Sequence, residues 1–199
     1  MARRPKLPSK EEAWTALASR RGGALVTDKR GKVKQVRFRL EPFELVLDVY
    51  TQSTGNSSQT YTRGRLLYPA RDEFRFRLHR RSIFSGIGKY LGMQDIEVGQ
   101  PEVDRDFIIK ADSPGKVQGL LLRNRVGAAL VTLRAGTFAT RKFKKRGIDT
   151  TNVRELSYTV GGVMRDAARL DALIDLFAET TQHLVKNGSA WAEPVPFVL

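Results

Sequence analysis

The sequence predicts an α+β fold: an antiparallel β-sheet of about seven to nine strands, covered on one face by a long C-terminal helix and one or two shorter helices. Three observations carry this. Apolar residues alternate with charged ones from residue 24 to 81, the period of half-buried strands. The links between those segments are too short for crossover helices, so neighbouring strands run antiparallel. The chain then closes on an apolar stripe at helical spacing over residues 163–186.

Residues 1–10 read as a basic, Pro-containing arm, and 11–199 as one domain, a length that suits a single core. Ser9 and Glu12 have capping-box spacing, and Trp14, Leu17 and Ala18 recur at helical intervals until Gly22-Gly23 stops the helix. In the strand region Val36, Phe38 and Leu40 alternate with Arg37 and Arg39. Phe43, Leu45, Leu47 and Val49 alternate with Glu44, Val46, Asp48 and Tyr50, so this segment is apolar on both faces. A turn rich in Ser, Thr, Gly and Asn at 53–58 precedes a strand from Thr60 to Tyr68. Phe74, Phe76 and Leu78 then alternate with Arg75, Arg77 and His79. The segments of 34–81 are expected to lie side by side as a meander.

Residues 82–92 have apolar residues at helical spacing, weakened by internal glycines. Asp95-Ile96-Glu97-Val98 and Arg105-Asp106-Phe107-Ile108-Ile109 read as short strands flanking Gly99-Gln100-Pro101. Ser113-Pro114 opens a helix carrying Val117, Leu120 and Leu121. Ala128 to Leu133, Thr137 to Phe143 and Glu155 to Val160 are three more strand candidates. In the last helix the stripe is Val163, Ala167, Leu170, Ile174, Phe177, Thr181 and Leu184, with Lys186 and Gly188 at its end. The apolar tail from Trp191 to Leu199 is expected to pack on the body.

Residues 88–121 contain Gly88-Lys89-Tyr90-Leu91-Gly92-Met93-Gln94-Asp95-Ile96-Glu97-Val98-Gly99, then Val103-Asp104-Arg105-Asp106-Phe107-Ile108-Ile109-Lys110-Ala111, then Leu120-Leu121. This stretch, about a sixth of the chain, resembles a recurring segment of uncharacterised bacterial proteins. Some of those proteins carry membrane segments, which this chain lacks. Where that segment has a Phe-Asp pair, this chain has Val103-Asp104. The resemblance implies a bacterial origin and brings no activity, substrate or catalytic residue with it.

Composition narrows the function classes. The chain has 35 Lys+Arg against 21 Asp+Glu, a formal charge of +14. The excess lies in residues 1–81 and 113–162, separated by an acidic stretch and followed by an acidic helix. Such a polarised surface attracts polyanions. Cysteine is absent, which removes disulfides, thiolate catalysis and Cys-based metal sites. No stretch approaches the ~20 apolar residues of a membrane span, and no apolar run follows the basic N-terminus. These features point to the cytoplasm.

Catalytic signals are sparse. The two histidines, His79 and His183, fall in different elements, both read as surface or edge positions, and no Gly-x-Ser-x-Gly elbow is present. Gly86-Ile87-Gly88 lacks the strand-to-helix setting of a phosphate loop, whereas Gly161-Gly162 stands before a helix N-terminus, where anions bind. Asp95, Glu97, Asp104 and Asp106 form i,i+2 pairs that as strand residues would share faces and could offer hard oxygen ligands. Without an EF-hand register or a histidine beside them, their expected role is to pair with neighbouring arginines and blunt a sheet edge, ahead of any metal site. No cofactor is predicted.

The clearest constellation is Arg37, Arg39, Arg63, Arg65, Arg75 and Arg77, at alternate positions of three strand candidates. Period two puts them on the outward face, where guanidiniums would bind phosphates or carboxylates. Tyr50, Tyr61 and Tyr68 could add stacking for single-stranded bases, while Glu44, Asp48 and Glu73 could pair with the arginines. A second cluster, Arg141, Lys142, Lys144, Lys145 and Arg146 around Phe143, reads as a hairpin tip able to grip a nucleic-acid backbone or an anionic membrane surface. The expected function is a non-enzymatic binding domain for nucleic acid or acidic lipid headgroups. Two alternatives stand: an interaction domain forming a homo-oligomer, and a carrier of a hydrophobic ligand between sheet and helix.

Overall fold

The computed structural model describes residues 7–81, 94–122, 124–197 and 199. In chain order the elements are α1 (Lys10–Arg21), β1 (Ala24–Thr27), β2 (Val33–Leu40), β3 (Phe43–Thr54), β4 (Ser57–Pro69), β5 (Phe76–Arg80), β6 (Gln94–Asp95), α2 (Pro101–Asp106), β7 (Phe107–Ala111), α3 (Pro114–Leu121), α4 (Asn124–Leu133), β8 (Thr137–Lys142), β9 (Val153–Gly161) and α5 (Ala167–Lys186). The nine strands join one antiparallel sheet in the order β1-β2-β3-β4-β9-β8-β5-β7-β6, so the α+β reading holds. The helix expected over 82–92, the Gly86-Ile87-Gly88 turn and most of the basic arm lie outside the described residues.

Local chemistry explains the first element. The Ser9 hydroxyl accepts the Glu12 N–H at 3.2 Å, and the Glu12 carboxylate accepts the Ser9 N–H at 2.7 Å. Gly22 ends the helix at φ 66°, a left-handed conformation that costs glycine little. The helix buries Trp14, whose Nε1–H donates to the Met164 carbonyl at 3.0 Å and so ties α1 to the segment before α5.

The inner face of the sheet forms the core. One cross-strand row runs Val36, Leu47, Gly64, Tyr158, Phe138, Leu78, Ile109, and its neighbour contains Phe38, Leu45, Leu66 and Leu156. Helix α5 lies over this face. The Phe177 ring meets Phe138 edge-on with centroids 5.6 Å apart. A Cβ on Gly64 would stand 3.0 Å from that ring, so the glycine makes room for the helix. Phe38, Leu45, Leu47, Phe74 and Phe76 are all buried, as the alternation requires.

Four expectations are corrected. Strands β2, β3 and β4 form the expected meander, but β5 does not follow β4 in the sheet, because β9 and β8 lie between them. Alternation assigns faces; it does not assign neighbours. Residues 128–133 belong to helix α4, not a strand. Val126, Ala129, Leu130 and Leu133 are buried at i, i+3, i+4 and i+7, a helical period that a six-residue window hides. Asp104 and Asp106 lie on α2, whose first residue is Pro101, so they do not share a strand face. Helix α5 begins at Ala167 rather than 163, with Asp166 as its cap, and Val163 is exposed.

The tail packs on the body, as expected, and on the outer face. Pro194, Val195, Phe197 and Leu199 line one depression with Val46 and Leu67, aliphatic residues that β3 and β4 turn outward. This explains why residues 43–50 are apolar on both faces: one side packs under α5, the other under the tail. No helix among the described residues is long and apolar enough to cross a membrane.

Candidate functional site

Strand register brings the predicted arginines to the outer face. Arg37 opposes Val46, Val46 opposes Arg65, and Arg65 opposes Ser157; the row continues through Ala139 to Arg77 and Lys110. Arg63 stands one row along, between Asp48 and Thr159, and Arg39 stands on the other side, opposite Glu44. Arg141 opposes Glu155 on the same face. Arg75 precedes β5, where its Nε donates to Asp112 at 3.1 Å.

This face largely neutralises itself. Arg63 donates to both oxygens of Asp48, through Nε at 3.0 Å and Nη2 at 2.8 Å, and Arg65 adds a third bond at 3.1 Å. Asp48 is only 7% exposed, so it depends on these bonds. In return its carboxylate raises the Arg63 pKa above the usual guanidinium value, against the opposing effect of burial. Arg37 pairs with Glu44 at 2.7 Å and donates to a main-chain oxygen of Leu199 at 3.1 Å, while Arg39 pairs with Glu41 at 3.3 Å. Glu155 supplies a further acid that the alternation of Arg-bearing strands did not reveal. Burial pushes its pKa up, and Arg65, Arg141 and Arg63 pull it partly back.

Beyond Arg63 the face opens into a groove of about 720 Å³ lined by Tyr50, Tyr61, Arg63, Arg141, Glu155 and Thr159 among others. Tyr50 and Tyr61 stack with centroids 5.3 Å apart, and the Arg63 guanidinium covers Tyr50 at 4.6 Å. Tyr68, by contrast, is buried away from this surface, and burial pushes its pKa up.

The second cluster divides by strand period. Arg141 faces the groove, and Lys142 points the other way, 3.7 Å from Glu73. Glu73 also accepts from the buried Arg154 at 2.5 Å and so leaves the arginine face altogether. Lys144, Lys145 and Arg146 are exposed in the loop between β8 and β9, and no ion pair joins Lys144 or Arg146 to an acid among the described residues. Phe143 stacks on Phe197 at 5.7 Å, and the Lys145 ammonium lies 5.5 Å from the Phe197 ring, so the tail braces the loop.

Other candidates do not assemble. His79 is buried rather than at the surface, and His183 is half-buried near Gly119. The N-terminus of α5 already holds a carboxylate: Asp166 accepts the Arg169 N–H at 2.9 Å, so Gly161-Gly162 does not open onto an anion site. Asp104 accepts the N–H groups of Val98 and Gly99, both at 2.9 Å, a structural role. Among the described residues no group of three or more His, Asp or Glu could hold a metal ion.

No protein-family model and no curated protein matches the chain. Among solved structures, the crystal structure of the mycobacterial trehalose monomycolate transport factor A, TtfA, is similar with a TM-score of 0.39 and 11% identity, covering 94% of this chain and 98% of that one.

Proposed function

We propose that this protein is a binding domain for an anionic partner, gripped by the β8–β9 loop bearing Lys144, Lys145 and Arg146 and aided by the adjoining outer sheet face, Arg141 included. The reading rests on one observation. Arg63 and Arg65 are matched by Asp48, Arg37 by Glu44, Arg39 by Glu41 and Arg75 by Asp112, whereas the loop cations Lys144, Lys145 and Arg146 project into solvent without such partners among the described residues. Unmatched cations gathered at one place attract phosphates or carboxylates and raise their association rate.

A salt titration tests this. Wild type and the variant Lys144→Gln/Lys145→Gln/Arg146→Gln are titrated on single-stranded DNA, RNA and acidic vesicles. Each phosphate contact contributes about −0.7 to the log–log salt slope on single strands, so losing three contacts flattens it by about 2. Equal, weak binding of all three probes by both proteins would sink the reading.

A further inference from the structure

The basic loop does not stand alone at its end of the sheet. The Ala70 N–H donates to the Asn152 carbonyl at 2.7 Å, and the Trp191 N–H to the Pro69 carbonyl at 2.9 Å. The end of β4, the loop from 143 to 152 and the start of the tail are therefore hydrogen-bonded neighbours. This end exposes two large apolar side chains, Trp191 at 47% and Ile148 at 40%. The Arg71 guanidinium covers the Trp191 ring at 4.1 Å, and Ile148 lines the same depression as Lys144, Lys145 and Arg146. The acids here are few. Asp72 is held by Lys116 and Ser189, Glu73 is engaged by Arg154 and Lys142, Asp149 accepts the Thr151 N–H at 2.9 Å, and Glu193 is exposed on the tail.

We infer that this end of the molecule docks on an anionic lipid surface, with Trp191 and Ile148 entering the headgroup region and Arg71, Lys144, Lys145 and Arg146 resting on the lipid phosphates. The inference deepens the anion-binding reading and rests on it. Charge complementarity alone would suit any polyanion. The apolar pair decides the class, because an aliphatic Ile148 gains nothing against a nucleic-acid backbone but leaves water at a bilayer interface. Tryptophan is enriched at that depth, where its ring is buried and its N–H stays wet. A cationic patch plus inserted apolar residues supplies the two signals that stable peripheral attachment needs.

Trp191 reports its own environment, because Trp14, with no exposed surface, emits from a constant one. Vesicles of phosphatidylcholine alone, and of phosphatidylcholine mixed with phosphatidylglycerol, are titrated into the full chain. Co-sedimentation with the acidic vesicles only is expected, with a blue shift of the Trp191 emission and its quenching by acyl-brominated lipid. Trp191→Phe removes the shift while Trp14 emission shows that the fold persists. The variant Lys144→Gln/Lys145→Gln/Arg146→Gln is expected to bind about a hundredfold more weakly, about fivefold per cation at an acidic leaflet. Binding to single-stranded DNA without binding to acidic vesicles overturns the membrane inference and leaves the anion-binding reading standing. Failure on both probes removes the two together. Vesicle binding with no shift and no quenching also overturns the inference, since the apolar pair then stays in water.

Discussion

Asp48 is the residue around which the arginine face is built. A carboxylate this buried is tolerated because two guanidiniums supply three hydrogen bonds to it. Removing both donors strands a buried charge, which costs far more than the usual half kcal/mol of a surface change. Arg63→Ala/Arg65→Ala is therefore expected to lower unfolding free energy by about 2–4 kcal/mol in urea denaturation. Adding Asp48→Leu to that variant restores most of the loss, because no charge is then left unpaired. If the double variant is as stable as wild type, Asp48 does not depend on these arginines. At this scale the sequence was half legible. Period two placed the arginines on one face, but the same alternation is silent on how deep that face lies. The tail that covers Val46 and Leu67 also takes a hydrogen bond from Arg37 at Leu199, and no local pattern announces a partner more than 100 residues away.

Elements were legible where a start or stop signal stood beside the period. Ser9 with Glu12, and Gly22 after the last helical turn, delimit α1 without tertiary help. Helix α4 had no such signal. Its apolar run satisfies both periods, and packing against α5, α2 and α3 selects the helix. Pairing was the other illegible layer. The wedge of β9 and β8 between β4 and β5 depends on contacts remote in sequence, and with it came Glu155 opposite Arg141. Helix α5 shows how one side chain can overrule a plausible stripe. The pattern extends to Val163, but Asp166 accepts the Arg169 N–H and fixes the first turn at Ala167. Asp166→Ala is expected to cost about 1 kcal/mol, a fall of about 2–4 °C in Tm for a chain of this size. A thermal melt followed by circular dichroism checks it. Asp166→Asn, which keeps an accepting oxygen, should melt close to wild type, and an equal loss in both variants would show that the cap is not what holds the turn.

For the whole molecule the charge that favours an anionic partner also opposes the compact state. At +14 the chain repels itself, and its carboxylates are the counterweight. Most of the perturbed ones are held below their ordinary values of 3.8 for Asp and 4.5 for Glu. Arg154 lowers Glu73, the Lys32 N–H lowers Asp28, the Thr151 N–H lowers Asp149 and Arg105 lowers Asp106. Burial works against Asp72, yet bonds from Lys116, the Phe74 N–H and Ser189 bring it below as well. A group whose folded pKa is depressed stabilises fully above its unfolded pKa and loses that contribution as pH falls through the folded value. Glu155 runs the other way: burial raises its pKa, so its contribution is present below the ordinary value and is lost as pH rises through the raised one. The lowered group is the larger, and every proton taken up adds to the positive charge. The urea midpoint is therefore expected to hold steady near neutral pH and to fall as pH drops from about 5 through the ordinary carboxylate values. Glu155→Gln should raise the midpoint at pH 7 and change it little at the acid end, where the wild-type side chain is already protonated. Added salt should recover part of the acid loss by screening the repulsion between exposed cations, which nearby carboxylates no longer offset. A midpoint that is flat from pH 7 to pH 3, or an acid loss indifferent to salt, would mean that carboxylate pairing and self-repulsion do not govern the stability of this chain.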